Sequence, residues 1–293
     1  MTWLADYTRS LKLKEVEEVF DLYFYRPLAF LLVKAIYQTN ITPNQLTVAS
    51  MFVGVLGGLC YSFGHPSAIA AGAILYGLSI VIDCSDGQLA RLKKNGTRLG
   101  RILDGLIDYV VMIAIYAGIG IGLVPESGDS GMWWLLILAA ALSNLFHSVA
   151  LDYYRNRFMD FVQGASTQDE DDYRSFQQEY DVLARRKGKI LRKAAIWLYL
   201  RYLLAQKRMT MNWEAAGPPK KSAGDFYRRN KAAIRLWTFL GSTTQGTILI
   251  AASLADRIDL YFWAMIVVGN VWTVVMFAVQ NRIDHRLEHE VAS

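Results

Sequence analysis

Four aspartates stand at spacings that can do chemistry. Asp83 and Asp86 are three residues apart, and Asp104 and Asp108 four apart, within VIDCSDGQLARLKKNGTRLGRILDGLIDY (81–109). Such spacings place each pair on one face of an α-helix. A helical hairpin closed near Asn95-Gly96 would bring the four carboxylates together. Crowded carboxylates repel strongly at a low-dielectric boundary, and the usual remedy is a hard divalent cation such as Mg²⁺, Mn²⁺ or Ca²⁺. Gly87 follows the first pair and Gly100 precedes the second by four residues. A missing side chain there lets a ligand or a neighbouring helix approach the backbone. Arg91, one turn past Gly87, can meet phosphate oxygens with both arms of its fork. Metal, glycine slot and cation together describe a diphosphate site. The alternative is a set of helix-end acids paired with Arg91, Arg98 and Arg101; four acids in register with two glycines weigh against it.

The elements that must position these residues are membrane helices. Of 293 residues, 53% are hydrophobic and 19% charged, an apolar excess over soluble domains. Disorder, a collagen-like fibre and a disulfide scaffold are excluded. The two cysteines, Cys60 and Cys84, lie in apolar runs and imply no disulfide framework. A bilayer-spanning helix needs about 20 apolar residues. Six candidates are found: Leu46–Phe63, Ala68–Ile82, Leu106–Val124, Met132–Leu151, Ile234–Ala255 and Leu260–Val279. The expected fold is all-α, with six transmembrane helices, an N-terminal amphipathic interfacial helix (Glu15–Tyr37) and a helical cytoplasmic insert. The N-terminus has no basic-then-apolar leader pattern. Every Lys and Arg but Arg257 falls on one side of this topology, so both termini and the acids are expected in the cytoplasm.

The expected divisions are residues 1–41 (interfacial helix), 42–151 (four spans and the acids), 152–231 (basic insert), 232–281 (two spans) and 282–293 (tail). Within the insert, the acidic cluster Asp169–Asp172 precedes Arg185–Arg208, where cations alternate with Ile, Leu, Trp and Tyr. That helix suits either an anionic lipid surface or the protein's own cytoplasmic face. Gly217-Pro218-Pro219 reads as a break. His147 is expected to be a hydrogen-bonded interior residue. Gly54–Gly58 and Gly118–Gly122 have the spacing that lets membrane helices pack closely.

The motif resembles the signature of the CDP-alcohol phosphotransferases, D-x2-D-G-x2-A-R-x8-G-x3-D-x3-D. It matches at every fixed position: Asp83, Asp86, Gly87, Ala90, Arg91, Gly100, Asp104 and Asp108. The segment Thr42-Pro43-Asn44-Gln45-Leu46-Thr47 also looks like the family. The resemblance covers roughly residues 26–157 well and the last two spans loosely; the insert departs from it. It implies attack by an alcohol on the β-phosphate of a CDP-linked lipid, releasing CMP. By that analogy Asp83, Asp86 and Asp104 hold two Mg²⁺ ions (Mn²⁺ as a substitute), with Asp108 near the second and also the general base. Asn44, Gly87, Arg91, Thr97 and Gly100 would bind the CDP.

Tyr153-Tyr154-Arg155-Asn156-Arg157 is similar to a stretch that binds the acceptor phosphate in members using phosphorylated polyols. Arg155 and Arg157 are therefore expected to bind it, with Arg235 a third contributor; the alternative is a helix end anchored at lipid headgroups. The acceptor favoured is inositol 1-phosphate, ahead of glycerol 3-phosphate or a free alcohol. Trp237–Gln245 carries polar groups that suit hydroxyl recognition or helix packing equally. The expected partners are the CDP-lipid, the phosphorylated polyol, membrane lipids and a second copy of the chain, with no nucleic acid. A divalent-cation transporter is the rival of another class. Against it, the acids cluster at one interface and the other spans supply no midplane carboxylates.

Overall fold

A computed structural model describes residues 3–124, 130–163, 176–183, 193–194, 196–201, 204 and 223–292. Among the described residues there is no strand. The helices are α1 (Trp3–Ser10), α2 (Arg26–Ile36), α3 (Pro43–Tyr61), α4 (Pro66–Lys93), α5 (Arg98–Leu123), α6 (Ser130–Gln163), α7 (Ala223–Trp237), α8 (Ser242–Leu254), α9 (Ile258–Trp263) and α10 (Asn270–Ala292). Asp169–Asp172, Gly217–Pro219 and most of Arg185–Arg208 lie outside the described residues.

Local chemistry sets where the site-bearing helices begin and end. α3 opens with Pro43 in its first turn and a capping box, in which the Thr42 and Gln45 side chains satisfy each other's backbone N–H groups. α4 also starts with a proline, and the His65 side chain accepts from Ala68 N at 3.2 Å. It ends at Lys94, whose φ of 51° is left-handed, so the chain reverses one residue before the expected Asn95-Gly96. α5 is capped by Thr97, whose hydroxyl accepts from Gly100 N at 2.9 Å.

Among the described residues, five helical stretches are long and apolar enough to cross a membrane: Pro43–Tyr61, Pro66–Lys93, Leu103–Leu123, Ser130–Val162 and Ile258–Arg286. The fifth expected span, Ile234–Ala255, is not one continuous helix. After α7 the chain tightens into a 3-10 turn over Thr238–Leu240, and Gly241 is extended. Glu18 explains the break. Its carboxylate accepts from Thr244 N at 2.8 Å and Thr244 Oγ1 at 2.9 Å, capping α8 at its first turn. A side chain at position 241 would overlap that carboxylate. Gln245 donates to Leu240 O at 2.8 Å. The polar residues of this stretch thus close a helix start.

The chain forms two compact units, Met1–Ser148 with Thr238–Thr273, and Val149–Trp237 with Val274–Ser293. In the first, Tyr61, Tyr76, Ile115, Ile119, Tyr261 and Phe262 lie in the buried apolar cluster. Hydrogen bonds join several of its buried polar groups: Tyr116 and Tyr261 hydroxyls lie 2.8 Å apart with Asn144 on both, and His147 Nε2 meets Asn270 Oδ1 at 3.0 Å. In the second, Tyr154 stacks on Trp237 with ring centroids 4.5 Å apart, and Gln280 donates to Asn230 at 2.8 Å.

Glycine sets how closely α3 and α5 approach. A Cβ on Gly118 would overlap the Gly58 carbonyl, and one on Gly58 would press within 2.6 Å of the Ala114 carbonyl carbon. The small-residue spacing read from the sequence therefore serves packing within the chain. Because backbone faces backbone, neither side can yield cheaply. Gly118→Ala should lose about 1–3 kcal/mol of stability, read as thermal unfolding in detergent. Gly105→Ala meets nothing within 4 Å and should be neutral or stabilising by up to about 1 kcal/mol. Equal effects at the two positions would contradict the packing.

Candidate active site

Three of the four aspartates converge. Asp83 and Asp86 from α4 and Asp104 from α5 each offer a carboxylate oxygen, and these oxygens all lie within 4.8 Å of one another. Each ionised pair at that distance repels by roughly 3–4 kcal/mol at an effective dielectric near 20. Asp83 Oδ1 and Asp104 Oδ1 are buried without a hydrogen-bond partner. A crowded oxygen set with two orphaned acceptors is what a hard divalent cation requires, so the residues fit one. Asp108 lies one turn past Asp104, exposed and outside the three-acid group. Its charge nevertheless acts on Asp83.

A residue that the spacing did not single out supports the cluster. Thr47 Oγ1 contacts Asp86 Oδ2 and the Pro43 carbonyl. Asp86 is 7% and Thr47 2% exposed, so the hydroxyl fixes one oxygen of a buried carboxylate. Only the position of Thr47, within the family-like Thr42–Thr47 segment, hinted at this.

The residues expected to bind the CDP lie on α3, on α4 and at the start of α5. The Arg91 guanidinium lies over Gly87, where a Cβ would sit 3.4 Å from Nη1. Arg91 Nε donates to the Ser10 carbonyl, and its Nη2 is buried without a partner. That orphaned donor suits an anion. Around Gly100, a Cβ would stand 2.7 Å from Asn44 Oδ1 and 3.0 Å from Thr97 Oγ1. Asn44, Thr97 and Gly100 therefore form one small group, joining the start of α3 to the start of α5. The side chains of Arg98 and Arg101 lie outside the described residues.

The three arginines expected to bind the acceptor phosphate, Arg155, Arg157 and Arg235, lie in the second unit. Arg155 Nη1 meets Asp152 at 3.3 Å on its own helix. Arg157 meets Asp284 at 2.7 Å, and Gln280 donates to the other oxygen of that carboxylate at 3.2 Å. Arg235 is half-buried on α7.

Residues 40–165 match the family model for CDP-alcohol phosphatidyltransferase. The chain carries a CDP-alcohol phosphatidyltransferase domain. The match begins just before α3 and ends just past α6, so it takes in all four aspartates. The chain is similar to the bifunctional IPC transferase and DIPP synthase of Thermococcus kodakarensis, 29% identical over 119 residues, which are 41% of this chain and 26% of the relative. It is 29% identical over 139 residues to the phosphatidylinositol phosphate synthase of Corynebacterium glutamicum, covering 45% of this chain and 55% of that one. It is 35% identical over 89 residues to the archaetidylinositol phosphate synthase of Pyrococcus horikoshii, covering 30% and 46%. The chain thus spans about a quarter to a half of the curated relatives it matches. With its long apolar helices, the CDP-alcohol phosphatidyltransferase domain belongs to a multi-pass membrane protein.

The Thr47 contact is testable without turnover. Thr47→Val removes the hydroxyl at nearly constant volume and should weaken Mn²⁺ binding about 10- to 100-fold, followed by paramagnetic resonance of free Mn²⁺. Unchanged affinity would remove Thr47 from the support of the cluster.

Proposed function

We propose that the protein transfers a phosphatidyl group from CDP-diacylglycerol, or a similar CDP-lipid, to a phosphorylated polyol, releasing CMP. Inositol 1-phosphate is the acceptor. The observation that carries this reading is the three-acid cluster with two orphaned oxygens, inside a domain of this family. The inositol phosphate assignment draws support from the names of the relatives and from the cations Arg155, Arg157 and Arg235.

Asp83, Asp86 and Asp104 would hold two Mg²⁺ ions, or Mn²⁺ in their place, with Asp108 near the second. Bound there, the ions supply stabilisation to both the attacking and the leaving oxygens of an in-line displacement. The rest falls to the chain. Arg91, through Nη2, holds the donor diphosphate beside the bare backbone of Gly87, and Asn44, Thr97 and Gly100 receive the remainder of the CDP. Asp108 takes the proton of the acceptor hydroxyl as that oxygen bonds the β-phosphorus. The bond from the β-phosphorus to the CMP oxygen breaks, and its electron pair leaves with CMP. Arg155, Arg157 and Arg235 would bind the phosphate of the acceptor.

The placing of nearly all cations on one side supports a cytoplasmic active site and cytoplasmic termini. With α8 contributing to a sixth crossing, the number of spans is even, as that orientation needs. The host membrane is that of a bacterium or archaeon, and the active form is a homodimer.

Asp108→Asn keeps the size but removes the proton acceptor, so kcat should fall about 10²- to 10⁴-fold while CDP binding is retained. Near-normal turnover would take Asp108 out of the mechanism. An acceptor panel with CDP-diacylglycerol tests the polyol: labelled lipid should form with inositol 1-phosphate. Product from glycerol 3-phosphate alone would keep the class and replace the polyol, and product from free alcohols alone would retire the arginine role. Arg155→Ala should raise the acceptor KM about 10- to 150-fold with little change for CDP-lipid. Arg157 is the poorer probe, since its truncation strands Asp284, itself half-buried in an ion pair.

A further inference from the structure

Between and beyond the first two acids, α4 turns a second face toward the N-terminal segment. Cys84 Sγ reaches Asp21 Oδ1 at 3.6 Å, Ser85 Oγ the Ala29 carbonyl at 3.3 Å and Gln88 Nε2 the Arg26 carbonyl at 3.2 Å. Arg91 Nε donates to Ser10 O. The helix that carries Asp83 and Asp86 is thus fixed along that face by residues 10–29.

That segment is itself seated at both ends. Before Ser10, the Tyr7 ring packs edge-on to Phe30 at 5.2 Å, and Lys34 meets Asp6 at 3.2 Å. After it, Glu17 accepts from Arg26 at 2.7 and 2.8 Å, and both residues are under 10% exposed. The other Glu17 oxygen accepts from Lys12 N at 2.9 Å. The main chain of Lys12 is therefore pinned two residues past the carbonyl that holds Arg91. Its side chain stays exposed, and among the charges around Asp104 that of Lys12 acts most strongly.

We propose that Lys12 is a further diphosphate-binding cation, delivered to the acid cluster by the N-terminal segment and kept in register by the Glu17–Arg26 pair. This rests on the CDP-transfer reading. Arg91 has only part of its fork left for a diphosphate, because the Nε of that side chain is committed to Ser10. A lysine adds a point charge on a flexible stem.

The charge argument predicts effects of opposite sign. A cation beside the acids opposes a metal ion and attracts a diphosphate. In Lys12→Gln, CDP binding in saturating Mg²⁺ should weaken about tenfold, whereas binding of Mn²⁺ alone should stay equal or tighten. Lys12→Arg should keep CDP affinity within about threefold of the parent chain. Calorimetric titration of the full chain in detergent measures both ligands. Loss of Mn²⁺ and CDP binding together would mean that Lys12 only holds the fold, and unchanged CDP binding would mean that it does not reach the diphosphate; either overturns the proposal. Failure of the parent chain to bind CDP with Mg²⁺ would instead overturn the CDP-transfer reading, and the role of Lys12 with it.

Discussion

Repulsion among three carboxylates held within 4.8 Å is the constraint on which the rest of the structure turns. Left alone, such a cluster pushes α4 and α5 apart, and what opposes it is packing on every other side. α3 wedges against α5 through Gly58 and Gly118 at backbone contact. The Thr47 hydroxyl of α3 takes one oxygen of Asp86. The N-terminal segment grips α4 at four positions, Cys84, Ser85, Gln88 and Arg91. Fixed this way, the acids have little room to relax by moving, and a bound cation would supply the counter-charge. The same rigidity suits a site that must hold reacting oxygens in place.

The N-terminal anchor shows how a buried charge is kept charged. Burial alone would pull the Arg26 guanidinium down, but Glu17, with Cys84 and Asp21, more than offsets it and holds it above its ordinary value. An ion pair as buried as this contributes less to stability than its geometry suggests, because both groups lose their water. Its worth lies in orientation. Removing either partner would leave the other stranded under α4, next to the residues that orient Arg91.

What could be read from the sequence was what is local. The spacing of the aspartates puts each pair on one helix face, because three and four residues span one helical turn. Capping at Thr42 and Thr97, the apolar length of α4 through α6, and the glycine spacing that packs α3 on α5 are all encoded within a few residues. What could not be read depends on partners distant in the chain. Thr47 meets an aspartate 39 residues away, and Arg91 meets a carbonyl 81 residues before it. The expected fifth span breaks because Glu18, 226 residues before Thr244, caps the start of α8. An apolar count sees composition, and no local pattern announces that a distant carboxylate will start a new helix at Gly241.

The central claim is that the acids hold divalent cations on which a CDP diphosphate docks. Its most direct test is CMP release from CDP-diacylglycerol and inositol 1-phosphate by the purified chain, titrated with Mg²⁺ after exhaustive chelation. The account predicts no CMP in chelator, recovery with Mg²⁺, and no recovery at any Mg²⁺ concentration in Asp104→Ala. CMP release that persists in excess chelator, or that survives Asp104→Ala, would contradict it.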